Sequence, residues 1–249
     1  MSNIFRTRFA TTARTAMAAA FIGMAAVSAP AGATLAFAGP AVASPAPAVD
    51  PTTGMYGDPS AAAAYWRAQQ YDVCVLMSAA QVVGQITGSV PSEEEIISLA
   101  EHTISVSHPG SIYMLPSTPD DLDTGMGTDP ADIVVLLAHY GIHATMTDSN
   151  TQGDTGVPTG LDALEKALAA RHAVIVGVNA ETIWNSTEGQ RTAGDHEVVV
   201  TGVDANNGIV HLNDSGTDGG RDEQVPLATF MTAWQTADYQ MIVTEETVK

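Results

Sequence analysis

The chain holds one cysteine, Cys74, and just upstream of it stand two glutamines, Gln69 and Gln70. Far downstream, His196 opens an apolar run, HEVVVTGVD, and Asn213-Asp214 closes the next one, GIVHLND. These residue types can perform nucleophilic acyl chemistry. A thiolate attacks a carbonyl carbon, an imidazole moves the proton, and a carboxylate or amide orients the imidazole. His196 is the candidate base and Asp214 the candidate orienter, with Asn213 competing for that role. A glutamine amide together with the Cys74 backbone N–H would hold the developing oxyanion. Gln69 is the first candidate for that donor and Gln70 the second. The alternative for Cys74 is an inert packed thiol, against which stand its polar neighbours Gln69, Gln70 and Asp72.

The elements that must position these groups follow from periodicity. VLMSAAQVVGQI repeats its apolar residues at helical spacing and stops at Gly88, so Cys74 opens a helix. Unpaired N–H groups and the macrodipole at such an end favour an anion. Ser92 and Glu95 form a capping box for a second helix, PADIVVLLAHY gives a third and LDALEKALAA a fourth. Residues 106–128, rich in proline, glycine and aspartate, read as an irregular surface loop. HATMTD is a short strand candidate. Strands are then predicted over 173–179, 196–204, 208–214 and 239–245, with a short helix, PLATFMTAW, before the last. Asn206-Asn207-Gly208 predicts a hairpin between the strands of His196 and Asp214. Helices first and mainly antiparallel strands afterwards define an α+β class, a helical part packed on a sheet.

With these elements placed, YWRAQQYDVCVLMSAAQVVGQITG and DHEVVVTGVDANNGIVHLNDSG resemble the papain-like cysteine peptidase superfamily. Within it they are most similar to secreted relatives of the bacteriocin-processing, double-glycine peptidase family. The resemblance spans about residues 62–245. It implies a papain-like fold and the assignments Gln69 or Gln70, Cys74, His196 and Asp214. Val75 stands where many relatives carry glycine, and the two glutamines precede the cysteine by five and four residues where the family's glutamine precedes it by six.

The N-terminus reads as an export signal over residues 1–43: Arg6, Arg8 and Arg14, then an apolar run too short to span a bilayer, then small-x-small cleavage sites. Residues 44–60 read as a flexible lead-in and 61–249 as the single domain. Removing the signal leaves six basic residues against all 28 acidic ones, a net charge of −22. Nucleic acid and anionic lipid are thereby disfavoured as partners, and no integral membrane anchor is expected. A lone cysteine forms no internal disulfide, and outside the cell it is a reactive thiol or an inert one. No zinc or calcium spacing is complete, so neither metal nor cofactor is expected. The sequence therefore supports an exported cysteine hydrolase acting on a peptide or protein amide bond. Amide transfer by the same machinery and a non-catalytic binding module on the same fold are the alternatives.

Overall fold

A computed structural model describes residues 49–50, 54–114 and 128–249. The predicted signal, residues 1–43, lies outside them. Among the described residues, eight strands and eight α-helices follow in the order β1 (Val49–Asp50), β2 (Met55–Gly57), α1 (Pro59–Ala62), α2 (Cys74–Thr87), α3 (Glu93–Glu101), α4 (Asp132–His139), β3 (Ala144–Thr147), α5 (Gln152–Thr155), α6 (Leu161–Ala169), β4 (His172–Val178), α7 (Ala180–Ile183), β5 (His196–Asp204), β6 (Ile209–Asn213), β7 (Arg221–Pro226), α8 (Leu227–Gln235) and β8 (Met241–Thr247). A 3-10 turn, Ala63–Tyr65, joins α1 to the segment before α2.

All strand pairs are antiparallel, and one path runs β1-β2-β5-β4-β8-β3. β5 is the hub. It pairs β4 through residues 196–200 and β2 through residues 202–204, and β6 lies along its other edge. β7 extends the sheet beyond β6. Strand alternation divides the core between the two faces. Ala173, Ile175, Val199 and Ile242 pack with α2, α3 and α4. Val174, Val176, Val198 and Val200 pack with α6 and α8. Both faces being covered, β4 and β5 read as nearly continuous valine and isoleucine. The molecule is thus α+β, with helices packed on a mainly antiparallel sheet.

The predicted helices are present within one or two residues of their expected bounds, and the Ser92–Glu95 capping box is formed. The Asn206-Asn207-Gly208 turn joins β5 to β6, with Gly208 at a left-handed φ of 66°. Two expectations change. The described part of the lead-in is built into the fold: Met55, Tyr56 and Gly57 pair with Asp204, Val203 and Gly202. Main-chain pairing holds this segment, and three residues carry no periodicity that would announce it. The expected surface loop is anchored over residues 106–114, because Ile112 and Tyr113 are buried and Asp132 accepts hydrogen bonds from Ser105 Oγ and Val106 N at 2.8 Å each. The rest of that loop, residues 115–127, lies outside the described residues.

Candidate active site

The ends of three elements converge here. Cys74 is the first residue of α2, His196 the first of β5, and Asp214 follows the last residue of β6. One turn beyond Cys74, Ser78 Oγ donates to the backbone carbonyl of Glu197 at 3.0 Å. That bond fixes the start of α2 against the start of β5. Val73, the N-cap of α2, offers no side-chain hydrogen bond to the helix's first N–H groups, so these are not consumed by a cap.

His196 Nε2 lies 2.7 Å from Asp214 Oδ1. With Nε2 engaged, Nδ1 is the ring nitrogen available to Cys74, whose thiol lies within hydrogen-bonding reach of the imidazole. His196 is 5% exposed and Asp214 fully buried, whereas Cys74 is partly open to solvent. Asp214 is held from several sides. Trp184 Nε1 donates to its Oδ2 at 2.8 Å, Gly216 N to its Oδ1 at 2.7 Å, and its own carbonyl accepts from Trp66 Nε1 at 2.6 Å. Asp214 N donates to Gly220 O at 2.8 Å, and the backbones approach so closely that a Cβ on residue 220 would stand 1.8 Å from Asp214 O. Only glycine fits there. Trp184 also lies against the His196 ring, with centroids 5.2 Å apart.

These contacts set the protonation states. Burial, the largest influence on His196, pulls its pKa down, but Asp214 and Cys74 together outweigh it and hold the imidazole well above its ordinary value. Burial pushes Asp214 up, and the opposing pull of His196, with the donors Trp184 and Gly216, leaves it below the usual carboxylate range. A protonated imidazole and an ionised carboxylate are the favoured pair.

The structure separates the competing candidates. Asn213 does not face His196: its Nδ2 donates to Ala62 O at 2.9 Å and its Oδ1 accepts from Asp222 N. Gln69 donates its backbone N–H to Ser215 O at 2.9 Å, and its Oε1 accepts from Ser215 Oγ at 2.8 Å. Ser215 directly follows Asp214, so the Gln69 amide is docked beside the site with its carbonyl engaged and its NH2 group left to donate. Gln70 is exposed, and its backbone N–H, like that of Tyr71, donates to Glu93 Oε1. A tight turn, Val73 N to Tyr71 O at 3.0 Å, then leads into α2.

Four residues that pattern reading passed over shape the site. Trp184 and Ser215 lie in or beside short segments without periodicity, and Glu93, in the first turn of α3, reads as an ordinary helix-start acid. Glu197 did carry a signal, as an acid inside an apolar strand. Among the described residues no group of three or more His, Cys, Asp or Glu side chains is arranged to hold a metal ion. Asp222, an acid of β7, is engaged by His211, whose Nδ1 lies 2.7 Å from its Oδ1.

A helix-end thiol beside a strand-borne His–Asp pair on an open antiparallel sheet is the architecture of the papain-like cysteine peptidases. The chain belongs to the Peptidase_C39 like family, whose model matches residues 64–242. Uncharacterized proteins of Mycobacterium tuberculosis and Mycobacterium bovis are 58% identical over 208 residues, covering 82% of this chain and 89% of theirs. Among solved structures, a C39-like peptidase from Bacillus anthracis is 19% identical with a TM-score of 0.48, covering 75% of this chain and 97% of its own. A double glycine motif protease from an AMS/PCAT transporter, in complex with the leader peptide, is 13% identical with a TM-score of 0.39, covering 73% of this chain and 89% of its own.

Proposed function

We propose that this protein is a cysteine peptidase that works outside the cytoplasm and cleaves an amide bond through Cys74, His196 and Asp214. The observation that carries the reading is the buried imidazole held between the Asp214 carboxylate and the Cys74 thiol. Family membership supports the peptidase class. The Arg-rich, Ala-rich start of the chain supports export. Among the described residues no helix is long and apolar enough to cross a membrane.

In the proposed sequence the thiol proton rests on His196 Nδ1, which Asp214 stabilises through Nε2. The Cys74 thiolate attacks the carbonyl carbon, a C–S bond forms and the electron pair moves to the carbonyl oxygen. The Cys74 N–H and the Gln69 side-chain amide donate to that oxyanion. His196 gives its proton to the leaving nitrogen as the C–N bond breaks, leaving a thioester and a neutral imidazole. Water then attacks, His196 takes its proton, and collapse of the second oxyanion releases the acid and the thiolate. An amine taking the place of water at the thioester would make the same site an amide-transferring enzyme.

Alkylation provides the test. Iodoacetamide is expected to label Cys74 near pH 6 far faster than an ordinary thiol of pKa near 8.5, and His196→Ala should remove the advantage. Incubation with a peptide library, acid quench and intact-mass measurement should reveal an acyl adduct absent from Cys74→Ala. Ordinary slow labelling that His196→Ala leaves unchanged, with no adduct, would identify a binding module instead.

A further inference from the structure

A second concavity lies at the other end of α2. Gln85 lines it, eleven residues beyond Cys74, which at the helical rise is about 16 Å away. The cavity measures about 320 Å³, the lower end of the range for small-molecule sites. Its floor includes Ala62, Leu168 and Val200, all buried, and its rim carries Arg171, His172 and Lys249.

Three features set this cavity apart from a packing gap. Basic residues are scarce, nine in 249, yet two of them meet here in a chain with 28 acids. Neither forms an ion pair among the described residues. Arg171 Nη2 donates to Val248 O at 2.8 Å and Lys249 Nζ to Thr87 O, which leaves further N–H donors on each. The one acid at the rim, Asp58, caps α1 by accepting from Ala61 N at 2.9 Å.

The second feature is buried and unpaired polarity. Gln85 is 5% exposed, and its Nε2 has no hydrogen-bond partner; the Nδ1 of His172 is likewise buried and unpartnered. A buried polar nitrogen without a partner is costly, and turning either side chain toward the cavity would bring it to a ligand. The third is the backbone. Arg171 follows α6 at a left-handed φ of 65°, a place usually given to glycine, and the register between β4 and β8 shifts between His172 and Val174. Such irregularities re-aim side chains.

We infer that this cavity is a binding site for a small organic carboxylate with an apolar body. The carboxylate would be met by the Arg171 fork, the Gln85 amide and the His172 ring, and the apolar body would lie on Leu168 and Val200. Guanidinium binds a carboxylate in two parallel hydrogen bonds, which fits a single anionic group better than a diffuse charge. The site is distinct from Cys74 and stands whether or not the thiol is catalytic.

N-acetyl-L-leucine is a suitable probe, with its uncharged carboxamide as control. A ligand of this size is expected to bind with a Kd on the order of 1 mM, read by a saturable rise in melting temperature and by NMR line broadening of the ligand. Binding should persist in Cys74→Ala and be lost, by about tenfold or more, in Gln85→Leu and Arg171→Gly. Glycine suits the left-handed backbone at 171, and leucine replaces a buried unpaired amide, so Gln85→Leu should fold with equal or higher unliganded stability. Equal binding of acid and carboxamide, retention by both rim variants, loss in Cys74→Ala, or no saturable binding of the acid would each overturn the assignment.

Discussion

Replacing Glu197 by glutamine should abolish a large, measurable dependence of stability on pH. Glu197 directly follows His196 on β5, is 4% exposed, and leaves Oε2 without a hydrogen-bond partner. It shares its pocket with Gln240 above Gly177, where a Cβ would stand 2.3 Å from Gln240 Oε1 and 3.0 Å from Glu197 Oε1. Burial pushes its carboxyl up from 4.5 to about 8; the neighbouring His196 opposes the rise and Asp129 adds to it. A raised pKa makes the folded chain hold a proton that the unfolded chain releases. Stability contributed this way is complete below 4.5 and drains away as the pH rises through about 8. Each pH unit in that window costs about 1.4 kcal/mol, so the whole interval is worth about 5 kcal/mol. A glutamine at 197 is neutral throughout and carries no such slope. Urea unfolding of both proteins, near pH 5 and near pH 9, separates the two cases. The stability gap should move by about 4 kcal/mol in favour of Glu197→Gln, a shift in midpoint of about 2 M. Parallel pH–stability curves for the two proteins would refute the assignment of a neutral buried acid.

Three further outcomes bear on the proposed chemistry. Asp214→Asn keeps the shape but removes the charge that holds His196 protonated, so activity should fall on the order of a hundredfold or more, and the pH profile of Cys74 alkylation should lose its dependence on His196. Gln69→Ala should lower kcat by about a hundredfold with little change in KM, and Ser215→Ala should produce a smaller loss of the same kind, because it frees the amide that Gln69 keeps. Trp184→Phe removes the 2.8 Å bond to Asp214 while keeping an aromatic ring over His196; a stability loss of about 1–3 kcal/mol is expected in denaturant unfolding. No measurable loss there would mean that the indole N–H is dispensable.

What could be read from the sequence was whatever repeats with a period. The apolar stripe of α2 exposes Cys74 as a helix-opening residue, and two valine-rich runs joined by Asn-Asn-Gly bring His196 and Asp214 to one end of a hairpin. β7 escaped because Arg-Asp-Glu-Gln-Val-Pro is an edge strand rich in charge, with Val225 its one buried residue. β2 is too short to show alternation. The choices between Asn213 and Asp214, and between Gln69 and Gln70, turn on contacts made across long sequence separations. Asn213 is drawn to Ala62, 151 residues away, and Gln69 to Ser215, 146 residues away. Local pattern cannot carry such information, because both members of each pair have the same strand or loop neighbours.

The protonation states around His196 show how the fold reconciles a charged imidazole with burial. Three carboxyls influence it: Asp214, Glu197 and Glu223 on β7. Asp214 is held below the usual range and ionised, whereas burial pushes Glu197 up to about 8 and Glu223, with Asp214 adding to its rise, up to about 7. Near neutral pH the imidazolium therefore faces, beside the Cys74 sulfur, one ionised carboxylate and two acids held wholly or partly protonated. Three ionised carboxylates would stabilise the cation so strongly that surrendering a proton to a leaving group would become costly. Leaving groups of differing depth to titrate apart lets one carboxylate orient the ring while its neighbours stay largely neutral. Alkalinisation should then ionise Glu223 and Glu197, tightening the hold on the proton just where the base would otherwise be released.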